Sequence, residues 1–123
     1  MQDTRRRIVG VVDDDTAVRD SLRFLLEAAG FAVATFQSTA QFLAAFDPDQ
    51  IACLLLDHHM PGMTGLDLLR QLHRDGHDLP VALMTGSPSA QLTRQALALG
   101  AAVVLEKPLT DRALFEFLGN AIR

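Results

Sequence analysis

The chain contains no tryptophan and no tyrosine, a single cysteine, a single lysine and no long uninterrupted hydrophobic run. Each scarcity excludes something. Without a second cysteine no internal disulfide can form, and Cys53, inside the apolar stretch "IACLLL", reads as a small buried hydrophobe in a reducing compartment. No segment reaches the roughly 18 apolar residues of a membrane span, so no membrane contact is expected. The run after Arg5–Arg7 is too short for a secretory signal and breaks at once on three aspartates. Cations are scarce as well: 11 Lys and Arg face 15 Asp and Glu, a formal net charge of -4. A face that neutralises phosphates needs the opposite balance, so direct nucleic-acid contact by this domain is not expected. Arg5–Arg7 is the one basic cluster and reads as a solvated leader before the first strand.

What is present suits one domain. The 123 residues, 49% hydrophobic and 21% charged, are enough to bury a core, expected over residues 8–122 of a single domain spanning 1–123. Five β-rich apolar runs stand at 8–12, 32–36, 52–56, 81–84 and 102–105. None alternates with polar residues, so both faces are covered, as in a parallel sheet. Amphipathic segments separate them. Val18, Leu22, Leu25, Leu26 and Ala29 line one face of the first, which Gly30 closes. Ser38 and Gln41 have capping-box spacing before Phe42, Leu43 and Phe46; Leu66, Leu69 and Leu72 follow Thr64 and stop near Gly76. Leu92, Ala96 and Leu99 mark a fourth helix ended by Gly100, and Thr110 caps a fifth with Leu114, Phe115 and Leu118 on its apolar side. The expected fold is α/β: a (βα)5 doubly wound parallel five-stranded sheet in the order 2-1-3-4-5, flavodoxin-like.

Such sheets gather functional residues at the carboxyl ends of their strands. The first run ends in Asp13, Asp14 and Asp15, the third in Asp57, the fourth in Thr85 and Gly86, the fifth in Glu106, Lys107 and Pro108. In that strand order three carboxylates, a hydroxyl and an ammonium converge near the switch between strands 1 and 3. Crowded carboxylates repel unless a cation sits among them. An all-oxygen, solvent-reachable cluster suits a hard divalent ion, Mg2+ or Mn2+, that keeps several waters and binds a phosphate oxygen. Asp57, at the centre, is then placed to attack a phosphoryl group, with the ion and Lys107 neutralising charge and Thr85 donating a hydrogen bond. A plainer reading makes Asp13–Asp15 a charge cluster at a helix N-terminus. That reading leaves Asp57 unexplained, and also Lys107, the sole lysine among eleven cations. Its compact ammonium suits a single phosphoryl oxygen better than a guanidinium fork does.

The motifs "VVDDD", "LLLDHHMPGMTGLDLL", "MTG" and "EKP", in this order and at these strand ends, resemble the response-regulator receiver domain of two-component signal transduction, over about residues 8–123. The resemblance implies that Asp57 takes a phosphoryl group from the phosphohistidine of a histidine kinase or phosphotransfer protein. It implies a metal site of Asp13, Asp14, Asp57 and the main-chain carbonyl of His59. Thr85 becomes the switch hydroxyl and Lys107 the phosphate contact, with a cis bond to Pro108; Pro61 and Gly62 shape the turn after the acceptor, and Gly65 opens the third helix. A cytoplasmic signalling switch in bacterial transcription regulation follows, rather than an enzyme, one that autocatalyses its own phosphoryl transfer and slow dephosphorylation. The face made by the fourth helix, fifth strand and fifth helix would serve dimerisation or output, with Leu92, Leu99 and Leu118 expected to leave apolar surface there.

Departures from the family pattern are specific. Val104 stands where many receivers carry the aromatic switch residue, so switching is expected to rely on loop and fourth-helix shifts around Thr85. Asp15 has no ligand role. His59 and Ser87, two residues after Asp57 and Thr85, occupy positions that tune dephosphorylation, and the His59 side chain is expected to orient or block the hydrolytic water. Otherwise His58 and His59 read as solvent-facing loop residues, His73 and His77 as surface positions, and Met60 and Met63 as loop packing. An aspartyl-phosphate hydrolase would want an Asp where His59 stands, and a flavodoxin-like cofactor site would want a Ser/Thr/Gly-rich loop in place of "DDDTA". A degenerate receiver, acting as a phosphorylation-independent interaction module, would lack the acceptor, an acid or the lysine; only Val104 favours it.

Overall fold

The computed structural model describes residues 8–47 and 49–122; the Arg5–Arg7 leader lies outside the described residues. Five strands alternate with five helices: β1 (Ile8–Val12), α1 (Thr16–Ala28), β2 (Ala32–Phe36), α2 (Thr39–Ala45), β3 (Ile51–Asp57), α3 (Gly65–Arg74), β4 (Val81–Thr85), α4 (Ala90–Ala98), β5 (Val103–Glu106) and α5 (Asp111–Ala121). The strands form one sheet, β2-β1-β3-β4-β5, and every pairing is parallel. Three strands run further than their apolar letters suggest. β3 takes in Asp57, β4 takes in Thr85 and β5 takes in Glu106, starting one residue later than the run at 102. Register then pairs Asp57 with Met84 and Thr85 with Glu106, so the polar tips are held by the ladder itself.

Alternation along each strand splits the core into two layers. On one face Val12, Leu54, Leu56, Val81 and Leu83 pack with Phe42, Leu69, Leu72 and Ala96, from α2, α3 and α4. On the other, Val9, Val11, Cys53, Leu55, Ala82 and Met84 meet Leu22 and Leu26 of α1 and Leu114, Phe117 and Leu118 of α5. Both faces being covered is the reason the strands carry no polar alternation. Burial pushes the Cys53 thiol up to about 12, leaving no thiolate at neutral pH. The native chain is therefore expected to resist an aromatic disulfide reagent that labels the denatured chain at once; equal labelling of both would contradict the packing.

Several local expectations need correction. Ala29 caps α1 and is exposed, because the chain reverses at Gly30, whose φ of 97° is left-handed. The buried stripe of α5 is Leu114, Phe117 and Leu118, with Phe115 only half-buried at its edge. Ser38 caps α2, its Oγ accepting the Gln41 N–H, but Gln41 Oε1 reaches past the cap to the N–H of Gln37. A complete capping box forms instead at α3, where Thr64 Oγ1 accepts the Asp67 N–H at 3.2 Å and Asp67 accepts the Thr64 N–H at 3.1 Å. These bonds, the Thr64 backbone N–H foremost, hold the Asp67 carboxyl below its usual range. His77 is half-buried edge-on against Phe46, whereas His73 is exposed.

Candidate functional site

The run Asp13–Asp15 divides into three roles. Asp13 is fully buried; its N–H donates to the Phe36 carbonyl, its Oδ1 accepts the Asp15 N–H at 3.0 Å, and its carbonyl accepts Arg19 Nη1 at 2.7 Å. Asp14 is exposed. Asp15 is the N-cap of α1, its Oδ1 accepting the Ala17 N–H at 2.9 Å, so the helix-terminus reading holds for this residue.

Lys107 Nζ lies 2.7 Å from Asp13 Oδ2 and 3.1 Å from Asp57 Oδ1. One ammonium thus bridges two buried carboxylates. Asp57, only 3% exposed, also accepts the His59 N–H at 3.3 Å. Burial pushes the Asp57 carboxyl above its usual range and the Asp13 charge adds to this, while Lys107 pulls it back. For Lys107 burial acts downward, but the hydrogen bonds and charges of Asp13 and Asp57 outweigh it and raise the ammonium. The Lys107 N–H donates to the Thr85 carbonyl at 2.8 Å, and the Lys107–Pro108 peptide is cis. Beside Lys107 an apolar groove of about 560 Å3 runs between α1 and the start of α5, lined by Val18, Leu22, Met84, Pro108 and Leu114 among others.

One carboxylate oxygen from each of Asp13, Asp14 and Asp57 lies within 4.8 Å of the other two. The donors are hard oxygens, two buried and one open to solvent, a set that fits Mg2+ with waters retained. The structure therefore brings together Asp13, Asp14, Asp57 and Lys107, the four residues a degenerate receiver would have to have lost in part. Gly65 lies against the same strand tip: its N–H donates to the His58 carbonyl at 3.1 Å, and a Cβ there would collide with the Asp57 carbonyl oxygen.

The remaining residues form a rim. Thr85 is buried at the end of β4; its Oγ1 accepts the Ser87 N–H at 3.0 Å and lies 3.2 Å from His59 Nε2. That His59–Thr85 contact spans 26 residues of sequence and carries no signal in it. His59 is exposed, but His58 is half-buried, not solvent-facing, with its Nδ1 shut away from water. Burial, then the neighbouring His59, lowers the affinity of His58 for a proton. Val104 is half-buried and packs into the layer of α3 and α4.

The model of the response regulator receiver domain matches residues 9–118. The transcriptional regulatory protein FixJ of Azorhizobium caulinodans is 47% identical over 106 residues, covering 86% of this chain and 50% of that protein. DctD of Pseudomonas aeruginosa, a C4-dicarboxylate transport transcriptional regulatory protein, is 40% identical over 91% of this chain and 24% of its own length. The chain thus spans about half, or less, of the curated relatives it matches. Among solved structures, FixJ-N superposes with a TM-score of 0.83 at 38% identity, covering 98% of this chain and 94% of that one. The response regulator StyR gives 0.87 at 39%, covering 94% and 58%. Vibrio cholerae CheY4, at 24% identity and a TM-score of 0.86 over 95% and 99% of the two chains, shares the fold. With the sheet order, the acidic strand tips and the bridging lysine in place, the chain belongs to the response-regulator receiver family, the signalling domain of two-component systems.

Proposed function

We propose that Asp57 accepts a phosphoryl group from a phosphohistidine on a histidine kinase or phosphotransfer protein, in a reaction that depends on Mg2+ or Mn2+. The observation that carries this is the Lys107 ammonium set between Asp13 and Asp57 at 2.7 and 3.1 Å. An Asp57 carboxylate oxygen attacks phosphorus, the P–N bond breaks, and the imidazole leaves with the bonding pair, so an acyl phosphate forms on Asp57. Asp13, Asp14, Asp57 and the His59 main-chain carbonyl would hold the ion, which when bound neutralises charge on the phosphoryl oxygens. Lys107 supplies a second positive charge, and the Thr85 hydroxyl donates to a phosphoryl oxygen. The same residues serve slow hydrolysis, so the domain catalyses its own phosphorylation and dephosphorylation.

His59 and Ser87, on the rim above Thr85, set how fast water removes the phosphoryl group. His59→Ala is expected to lengthen the phosphoryl lifetime by removing an imidazole that orients the water; an unchanged decay, followed by intact mass, would discard the role. The α4–β5–α5 face is assigned to dimerisation or output, although Leu92 and Leu118, expected to leave apolar surface there, are buried and Leu99 is half-buried; the large exposed hydrophobic of α4 is Leu97, at 48%. Sedimentation with beryllofluoride and Mg2+ is expected to show a dimer, and a mass that stays monomeric rejects the assignment. The names of FixJ and DctD support a place in bacterial transcription regulation. A cytoplasmic location accompanies this reading, and the lone buried cysteine suits a reducing compartment. The direct test is incubation with a small phosphodonor and Mg2+: one added phosphoryl mass is expected, and none would refute the assignment.

A further inference from the structure

Thr85 is held by partners on the rim. Its Oγ1 meets the Ser87 N–H and His59 Nε2, and among the described residues it has no hydrogen bond to Asp57 or to the Lys107 ammonium. A threonine hydroxyl carries two lone pairs and one proton. If the imidazole donates, both lone pairs are occupied; if it accepts, the one proton is taken. In the accepting case, turning that proton towards a group on Asp57 gives up the 3.2 Å contact; in the donating case the proton is free, and the contact is given up when Oγ1 itself moves towards that group. That contact also ties the loop after β3 to the tip of β4, which leads directly into α4. Val104 offers no ring and no polar atom to follow Thr85, so the coupling an aromatic residue would provide has to come from another side chain.

We propose that the His59 imidazole is a latch on Thr85: it holds the hydroxyl in the unphosphorylated arrangement and is displaced when the hydroxyl moves to the phosphoryl group. The inference rests on the phosphoacceptor reading above and adds a positioning residue to it, one acting through Thr85 and not on the phosphoryl group itself. Losing the latch removes a contact that only the resting state enjoys, so the active arrangement becomes easier to reach.

The test is a double-mutant cycle on beryllofluoride binding in Mg2+, with imidazole nitrogen NMR on the same proteins. His59→Ala is expected to tighten beryllofluoride binding about three- to tenfold, the size of one ordinary hydrogen bond. In a Thr85→Val background the same change is expected to have no effect. The His59 nitrogen resonances should shift in Thr85→Val, and shift likewise when beryllofluoride is added to the unmodified chain, while those of His73 stay put. An equal effect of His59→Ala in both backgrounds, or His59 resonances unmoved by Thr85→Val, overturns the latch and leaves the phosphoacceptor reading standing. Failure of the unmodified chain to bind beryllofluoride at all overturns both.

Discussion

Asp57→Asn is expected to abolish phosphoryl uptake and, in the same protein, to raise stability. The amide keeps the shape of the carboxylate but removes the nucleophilic oxygen, so intact mass after phosphodonor treatment should stay that of the bare chain. Stability moves the other way because Asp57 is an unfavourably placed charge. It is buried, it faces Asp13, and its bond to Lys107 does not fully offset the two, so its carboxyl titrates above the usual range. Lys107 keeps its shorter contact, to Asp13, when Asp57 is neutralised. In metal-free buffer at neutral pH the gain should be about 1 kcal/mol, within the span of a single buried-charge adjustment. The sign with pH follows from linkage. A carboxyl whose folded pKa is raised binds its proton more readily in the folded chain, so its cost is fully present above the folded pKa and fades as pH falls towards the unfolded value near ~3.9. Denaturant titrations of both chains should therefore converge as pH is lowered through that window. A stability gap that widens on acidification would show that Asp57 is stabilised as a carboxylate, contrary to its surroundings.

Gly65→Ala is expected to destabilise the fold by about 3 kcal/mol, a fall in melting temperature of about 10 °C. The reason is contact, since Gly65 is absent from the glycines with positive φ. An added Cβ would run into the Asp57 carbonyl oxygen and stand 2.8 Å from His58 Cα. Both are backbone atoms of the strand tip and its turn, and neither can rotate aside as the end of a long side chain does. The helix α3 would have to lift from β3, carrying the His58 carbonyl bond with it. Phosphoryl uptake should slow as well, because Asp57 itself is displaced. Gly119→Ala is the control: it lies inside α5 with nothing within 4 Å of its added Cβ and is expected to stabilise by about 0.5 kcal/mol. Equal melting temperatures for the two variants would remove the argument from close approach.

The fold was legible because its signals are local and repeat. Apolar runs without polar alternation, each followed by an amphipathic segment, demand a parallel sheet covered on both faces, and the observed order β2-β1-β3-β4-β5 is one of the doubly wound orders that meet that demand. The acidic run, Asp57 and Lys107 were visible as strand-end residues of unusual chemistry. Which member of the acidic run is buried, which is open and which caps the helix was not. Asp13, Asp14 and Asp15 are adjacent and identical in type, yet one is buried against Lys107, one faces solvent and one caps α1, a division made by the direction in which the chain leaves β1.

Sequence by itself determined the layered sheet, which residues line it and the set of groups at its carboxyl edge, because hydrophobic periodicity and residue chemistry are written into adjacent positions. Only the tertiary structure decided that Lys107 stands between Asp13 and Asp57, that α3 starts too close to β3 for any side chain but hydrogen at Gly65, and that His59 meets Thr85. Those distances depend on how strands and loops far apart in the chain pack together, which no local pattern encodes.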